Sequence, residues 1–304
     1  MPGSMTGSAV PSEGEPTMTD GTQPTAATIA AEVRVLASPP GTYVRLRRVM
    51  KDPRSSVRDL VDAVSTDPSL TARLLRVANS AYFGGGRAVD TIERAVVVLG
   101  NRQIHDIVLA TSVMSRFSRI PARLVDMNGF WRMSLFAAAA SRLLADRCLI
   151  FDSERLFVAG LLAQIGQLVL YLRVPDAMTR VLEIAQGEDQ PIHLVERELL
   201  GFDYAAVSGE LFAAWKLPAS LVGPIRCHTD PATAGDHVLE ALVVGVAVGL
   251  AADAGRPTRL ANPVRDLSAA SLATLGLDAG DLRPLCQEAA ELTREAATVF
   301  LAAA

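Results

Sequence analysis

Four histidines and three cysteines are the side chains of this sequence best suited to hold a metal ion or activate water. A hydrolytic metal centre needs neutral imidazoles and anionic carboxylates that converge from several elements. His105 precedes Asp106, a literal His-Asp pair. Adjacent helical residues point about 100° apart, so the pair would need outside ligands. It reads as an ordinary helical histidine beside a surface aspartate. His193 and His237 have no ligand-like neighbours and read as surface residues. Cys148, Cys227 and Cys286 are far apart, odd in number and form no CxxC pair, which suits a reducing cytoplasm. Gln164 and Gln167 are spaced to share one helix face, either as amides bonded within the core or as polar lining of a small-molecule pocket.

Two further groups bear on contacts rather than catalysis. Arg45, Arg47, Arg48, Lys51, Arg54 and Arg58 form the densest basic run, read first as a solvated helix face, second as a site for an acidic partner protein and last as a site for a phosphate backbone. The segment NSAYFGGG, with Asn79, Ser80, Tyr82 and Phe83, reads equally as a helix end closed by a glycine turn or as a partner-docking surface.

The elements that must position these residues are helical. Half of the 304 residues are hydrophobic and aromatics make up only 5%, so the core is built from Leu, Val, Ile and Ala, a mixture that favours helix packing. Ser56 with Asp59 resembles a capping box, and Asp67-Pro68 marks a second helix start. Asp90 with Glu93 is expected to cap a helix stopping at Gly100, with Asn101 opening the next. The run SERLFVAGLLAQIGQLVLYL, starting from Ser153, is apolar nearly all round and predicts one central buried helix. No stretch alternates with period two between turn signals, so the fold class is all-α.

Residues 1 to 27 hold almost no large apolar side chain and read as a disordered tail, with Met5 and Met18 as alternative starts to Met1. That tail has no basic flank leading into an apolar run, so no signal peptide is expected. The longest apolar stretch, Val238 to Ala252, contains Glu240 and falls short of the roughly 20 residues of a membrane span, so it predicts a buried helix. The net charge is −4, which disfavours nucleic acid as a partner. The protein is expected in the cytoplasm and off the membrane.

Three stretches carry a family resemblance: DPSLTARLLRVANSAYFG with IERAVVVLGNRQIHDIVLA, FWRMSLFAAAASRLLA with LFVAGLLAQIGQLVLYL, and ERELLGFDYAAVSGELFAAWKLPASLVGPIRCH. In order and spacing they resemble the HDOD family, relatives of the HD phosphohydrolases. The resemblance implies a two-lobed helical fold over residues 28 to 300, with an N-terminal lobe at 28–120 and an HD-like lobe at 121–300. In an active HD enzyme a helix-borne His, a His-Asp pair and a later Asp hold a divalent metal that activates water. Here LLAQIGQL stands where the active pattern has LLHDIGKL, so Ala163 and Gln164 replace His-Asp and Gln167 replaces the lysine. Met133 stands at the upstream His position, Tyr204 where relatives often have His, and the distal Asp falls near Val248. His228 remains, followed by Thr229 instead of a second His.

What the resemblance implies is a non-enzymatic bacterial signalling protein that works by protein–protein contacts, with no catalytic residue, no metal and no cofactor. Its partners would be signalling proteins, and self-association stays open. A second reading makes the vacated pocket, with Met133, Ala163, Gln164, Gln167, Tyr204 and His228, a sensor for a small, nucleotide-like molecule. A third is a residual metal-dependent phosphohydrolase.

Overall fold

The computed structural model describes residues 24–32, 41–80, 88–117, 120, 125–254 and 269–301. Among them there is no strand. The α-helices are α1 (Ala26–Glu32), α2 (Gly41–Lys51), α3 (Val57–Ser65), α4 (Pro68–Ala78), α5 (Ile92–Phe117), α6 (Met127–Arg147), α7 (Ser153–Leu162) and α8 (Ile165–Arg173). They continue with α9 (Pro175–Gly187), α10 (Ile192–Leu200), α11 (Tyr204–Ala214), α12 (Ala219–Cys227), α13 (Val238–Ala254), α14 (Ala269–Thr274) and α15 (Ala279–Phe300).

Local chemistry sets the helix ends. Ser56 and Asp59 form the expected capping box of α3, and the Asp67 carboxylate accepts from the Leu70 N–H at 3.0 Å to open α4. At α5 the cap is Thr91, whose hydroxyl accepts from the Arg94 N–H, while Asp90 pairs with the Arg94 guanidinium instead of capping. Gly100, with φ +81°, breaks α5 where a stop was expected. The glycines 84 to 86 lie outside the described residues.

Two apolar cores result. The smaller gathers Leu46, Leu60, Val64, Leu74, Ile104 and Val108 from α2 to α5. The larger is centred on α6, whose run Ala137–Ala140 lets α7 approach closely: a Cβ on Gly160 would sit 2.6 Å from the Ala137 carbonyl oxygen. The two cores share helices. Ile29 and Ala30 of α1 and Tyr43 of α2 belong to the larger core, and α5 feeds both, with Ile107, Val113 and Phe117 in the larger one. Helix α1 also begins at Ala26, inside the expected tail; residues 1–23 lie outside the described residues.

The predicted continuous helix from Ser153 is two helices. Gln164 leaves the helical region (φ −94°, ψ 8°) between α7 and α8. The Ser208 hydroxyl of α11 accounts for the break, accepting from the Gly166 N–H at 2.7 Å and donating to the Ala163 carbonyl at 2.9 Å. A side chain thus satisfies backbone groups that a continuous helix would have used. Nor does Ser153 cap α7. Asp152 occupies that position at φ +69°, and its carboxylate pairs with Arg102 at 2.8 Å and with Arg155.

The runs Ser153–Arg173 and Gly235–Ala254 are long and apolar enough to cross a membrane by length and composition. The second extends upstream of the stretch read from sequence. Both are more than half buried within the protein, the first at 83% of its apolar window.

Helix α11 ends in a Schellman turn: the Leu217 N–H donates to the Phe212 carbonyl and the Lys216 N–H to the Ala213 carbonyl, with Lys216 left-handed at φ +58°. Arg47 reaches this turn from α2, donating to the carbonyls of Trp215 at 3.0 Å and Lys216 at 2.9 Å. A cation at a helix C-terminus is well placed against the helix dipole. Arg47 is therefore a bridge between α2 and α11, not part of a solvated face. Arg45, bonded to Thr66, and Arg54, paired with Asp52, are exposed, as are Arg48, Lys51 and Arg58.

Candidate functional site

A cavity of about 530 Å³ opens where α6, the α7–α8 break, α11, the end of α12 and α13 meet. Met133, Gln164, Gln167, Tyr204 and His228 all line it, and so does Val248. Ala163 is buried but does not line it. The substituted positions are thus brought together from separate helices.

His228 is 4% exposed and its ring is fully engaged. Nδ1 lies 2.7 Å from the Ile225 carbonyl, which has no proton to give, so Nδ1 carries the hydrogen. Nε2 is then the acceptor for the Tyr204 hydroxyl at 3.1 Å. Burial pushes the imidazole down to about 4, against the pull of the Ile225 bond, so it is neutral near pH 7. The one histidine left from the ligand pattern therefore has its lone pair closed by a phenol. Burial also raises the Tyr204 hydroxyl well above its ordinary range.

The other donors do not suit a divalent ion. Gln164 and Gln167 offer neutral amides, Met133 a thioether and Val248 nothing, so no anionic group compensates the charge. Among the described residues no group of three or more His, Cys, Asp or Glu could hold a metal. The residues present do not fit the HD-type ion.

Two polar residues behind the cavity were not singled out from the sequence. Glu196 of α10 is fully buried, and its Oε2 accepts from the Tyr204 N–H at 2.7 Å. Asp203 caps α11 through the Ala206 N–H and is held by Arg197 at 2.7 Å and by the Thr229 hydroxyl at 2.8 Å. An N-cap pattern before Tyr204 could have found Asp203; nothing marks Glu196, whose carboxylate looks like one more exposed helix charge. His193 also lines the cavity, and burial lowers its basicity, so its reading as a surface residue is corrected. His237 packs on Gly223 and lies 3.8 Å from Glu240. Asp106 is no surface residue either: it is 9% exposed and 2.9 Å from His105 Nδ1, whose ring lies 5.0 Å from Tyr43.

Burial pushes the Glu196 carboxyl from 4.5 up to about 8, the Tyr204 N–H pulling the other way. An acid with a raised folded value contributes stability present below 4.5 and lost as pH rises through about 8. His228 acts in the opposite sense at lower pH, its contribution being lost as pH falls from 6.5 toward about 4. Between the ordinary histidine range and the raised Glu196 value, only Glu196 of these two groups works against the fold. The melting temperature should fall from pH 6.5 to pH 8 in the wild type and much less in Glu196→Gln. Parallel profiles would refute the buried, protonated carboxyl.

Of the expected partner surface, Tyr82 and Phe83 lie outside the described residues. Asn79 is committed to the fold: its amide donates to the Val89 carbonyl and accepts from the Val89 N–H, tying the two ends of the intervening segment. The Ser80 hydroxyl donates to the Val77 carbonyl. Both border an open groove of about 690 Å³ between α4 and α15, with Arg76, Arg294 and Glu295.

Among the described residues the protein is helical throughout, and all but Ala163 of the positions that the resemblance matches to an HD-type site converge on one cavity. The chain belongs to the HDOD domain family, whose model matches residues 36–231. A protein from Shewanella amazonensis SB2B, named only provisionally as a phosphohydrolase, is 28% identical, with a TM-score of 0.66 over 88% of this chain and 97% of that one. An HDOD domain protein of unknown function from Geobacter sulfurreducens has the same fold, at 20% identity and a TM-score of 0.66 over 91% of this chain and 97% of its own. An uncharacterized protein of Treponema pallidum (strain Nichols) is 26% identical over 204 residues, 67% of this chain. The chain spans 39% of that relative's length.

Proposed function

We propose that this protein is a non-enzymatic signalling protein of the bacterial cytoplasm that acts through contacts with other proteins, residues 28–300 working as one HDOD unit. The observation that carries this reading is the state of His228. Its Nε2 is taken by the Tyr204 hydroxyl, and every other former ligand position holds a neutral side chain. Without a held divalent ion, nothing at the site lowers the pKa of water for attack on a phosphate ester. The groove beside Asn79 and Ser80, edged by Arg76, Arg294 and Glu295, supports a docking role for the face between α4 and α15.

The purified protein should contain no stoichiometric metal. It should hydrolyse neither nucleotides nor cyclic dinucleotides with Mg²⁺, Mn²⁺ or Fe²⁺ added. A metal-dependent rate that disappears in His228→Ala would overturn the reading and restore the phosphohydrolase one.

One observation favours a second reading, in which the cavity senses a small molecule. Gln164 is 7% exposed, lines the cavity, and its Oε1 has no hydrogen-bond partner among the described residues. A buried carbonyl left unpaired costs about 1–3 kcal/mol, which a bound ligand would recover.

A further inference from the structure

The chemistry of the cavity narrows what it can take. Among the described residues lining it there is no Lys, Arg, Asp or Glu. The nearby ionic groups Arg197 and Asp203 are spent on each other. Of the polar groups that remain, the Tyr204 hydroxyl is committed to His228, and both side chains are neutral at pH 7. An anion or a cation entering such a space would lose its hydration with no opposite charge to meet.

Among the described residues lining the cavity, the buried side-chain atom left without a hydrogen-bond partner belongs to an amide. Gln164 has the orphaned Oε1, and Gln167, also 7% exposed, lines the same wall. A primary amide presents a carbonyl beside an N–H, and its complement is a group that presents an N–H beside a carbonyl. The match survives rotation of the amide by half a turn, since both donor and acceptor remain on offer. The volume lies within the range of about 300–1,000 Å³ typical of small-molecule sites.

We infer that the cavity binds an uncharged small molecule through a lactam-type edge, an N–H beside a C=O, paired with the Gln164 amide. This rests on the ligand-sensing reading above and removes phosphate-bearing nucleotides from it. Two sources offer such an edge, nucleobase derivatives and cyclic dipeptides, and each has an ionised counterpart: the nucleoside monophosphate, and the opened dipeptide, a zwitterion that also lacks the lactam edge.

The test uses the full chain and four probes: uridine against uridine monophosphate, and cyclo(Leu-Pro) against linear Leu-Pro, read by thermal shift and calorimetry. At least one neutral probe should raise the melting temperature by about 2 °C or more at saturation. It should also bind at least about tenfold more tightly than its charged partner. Gln164→Leu should abolish the shift. Should that variant fold poorly, Ala252→Trp, at an exposed position on the rim, should block entry without touching the amides. Equal or tighter binding of the charged partner would overturn this inference and leave the ligand reading standing. Failure of all four probes would also overturn it. The ligand reading falls as well only if protein from its native host carries no small molecule in native mass spectrometry.

Discussion

Gly166→Ala should destabilise the protein by about 3 kcal/mol or more, or prevent folding. A Cβ at this position would lie 2.0 Å from the Tyr204 carbonyl oxygen and 2.9 Å from the Ser208 nitrogen. Both obstacles are backbone of α11, so no side chain can swing aside. The same approach lets the Ser208 hydroxyl reach the Gly166 N–H and the Ala163 carbonyl. Relief would separate α8 from α11 and pull Gln164 and Tyr204 apart. The expected fall in melting temperature is roughly 6 °C or more. Gly187→Ala is the control: nothing lies within 4 Å of a Cβ there, and the helical position tolerates alanine. Equal stability of Gly166→Ala and wild type in urea titrations would mean that α8 and α11 do not pack as described.

Trp215→Ala should cost about 3–5 kcal/mol, the range for removing a buried aromatic. Trp215 is 1% exposed, meets Phe212 edge-on at 5.5 Å, and closes α11 with its N–H on the Leu211 carbonyl. Its own carbonyl receives Arg47, so the loss loosens the anchor that joins α2 to α11. Arg47→Ala removes the bonds from the other side and leaves the aromatic in place. It should cost less, about 1.5–3 kcal/mol, since Arg47 is only partly buried and water can replace it at the carbonyls. Chemical denaturation followed by far-UV circular dichroism measures both. An Arg47→Ala cost equal to that of Trp215→Ala would put the stability in the cationic bridge and not in the aromatic packing.

These two sites mark how far sequence reaches. The WKLP segment and the glycine of AQIGQL are visible as a family pattern, but their reasons are not. Lys216 sits at a left-handed turn position where glycine would be expected, and Arg47 meets that turn from 168 residues away in sequence. The run from Ser153 reads as one helix because its apolar content is continuous, and local pattern carries no trace of a hydroxyl arriving from Ser208. Likewise Asp106 and Glu196 look like solvated helix charges. Their burial follows from which face each helix turns to its neighbours.

What the sequence determined by itself was the helical class and several caps, because these depend on residue types and short spacings. Ser56 with Asp59, Asp67 before Pro68 and the break at Gly100 act within one turn of chain. Tertiary structure decided how the two cores divide the helices and where the orphaned amide of Gln164 faces. It also decided that the remaining imidazole is closed by Tyr204. Each of these is a contact between residues far apart in sequence, and it exists only once helices that share no local signal have packed together.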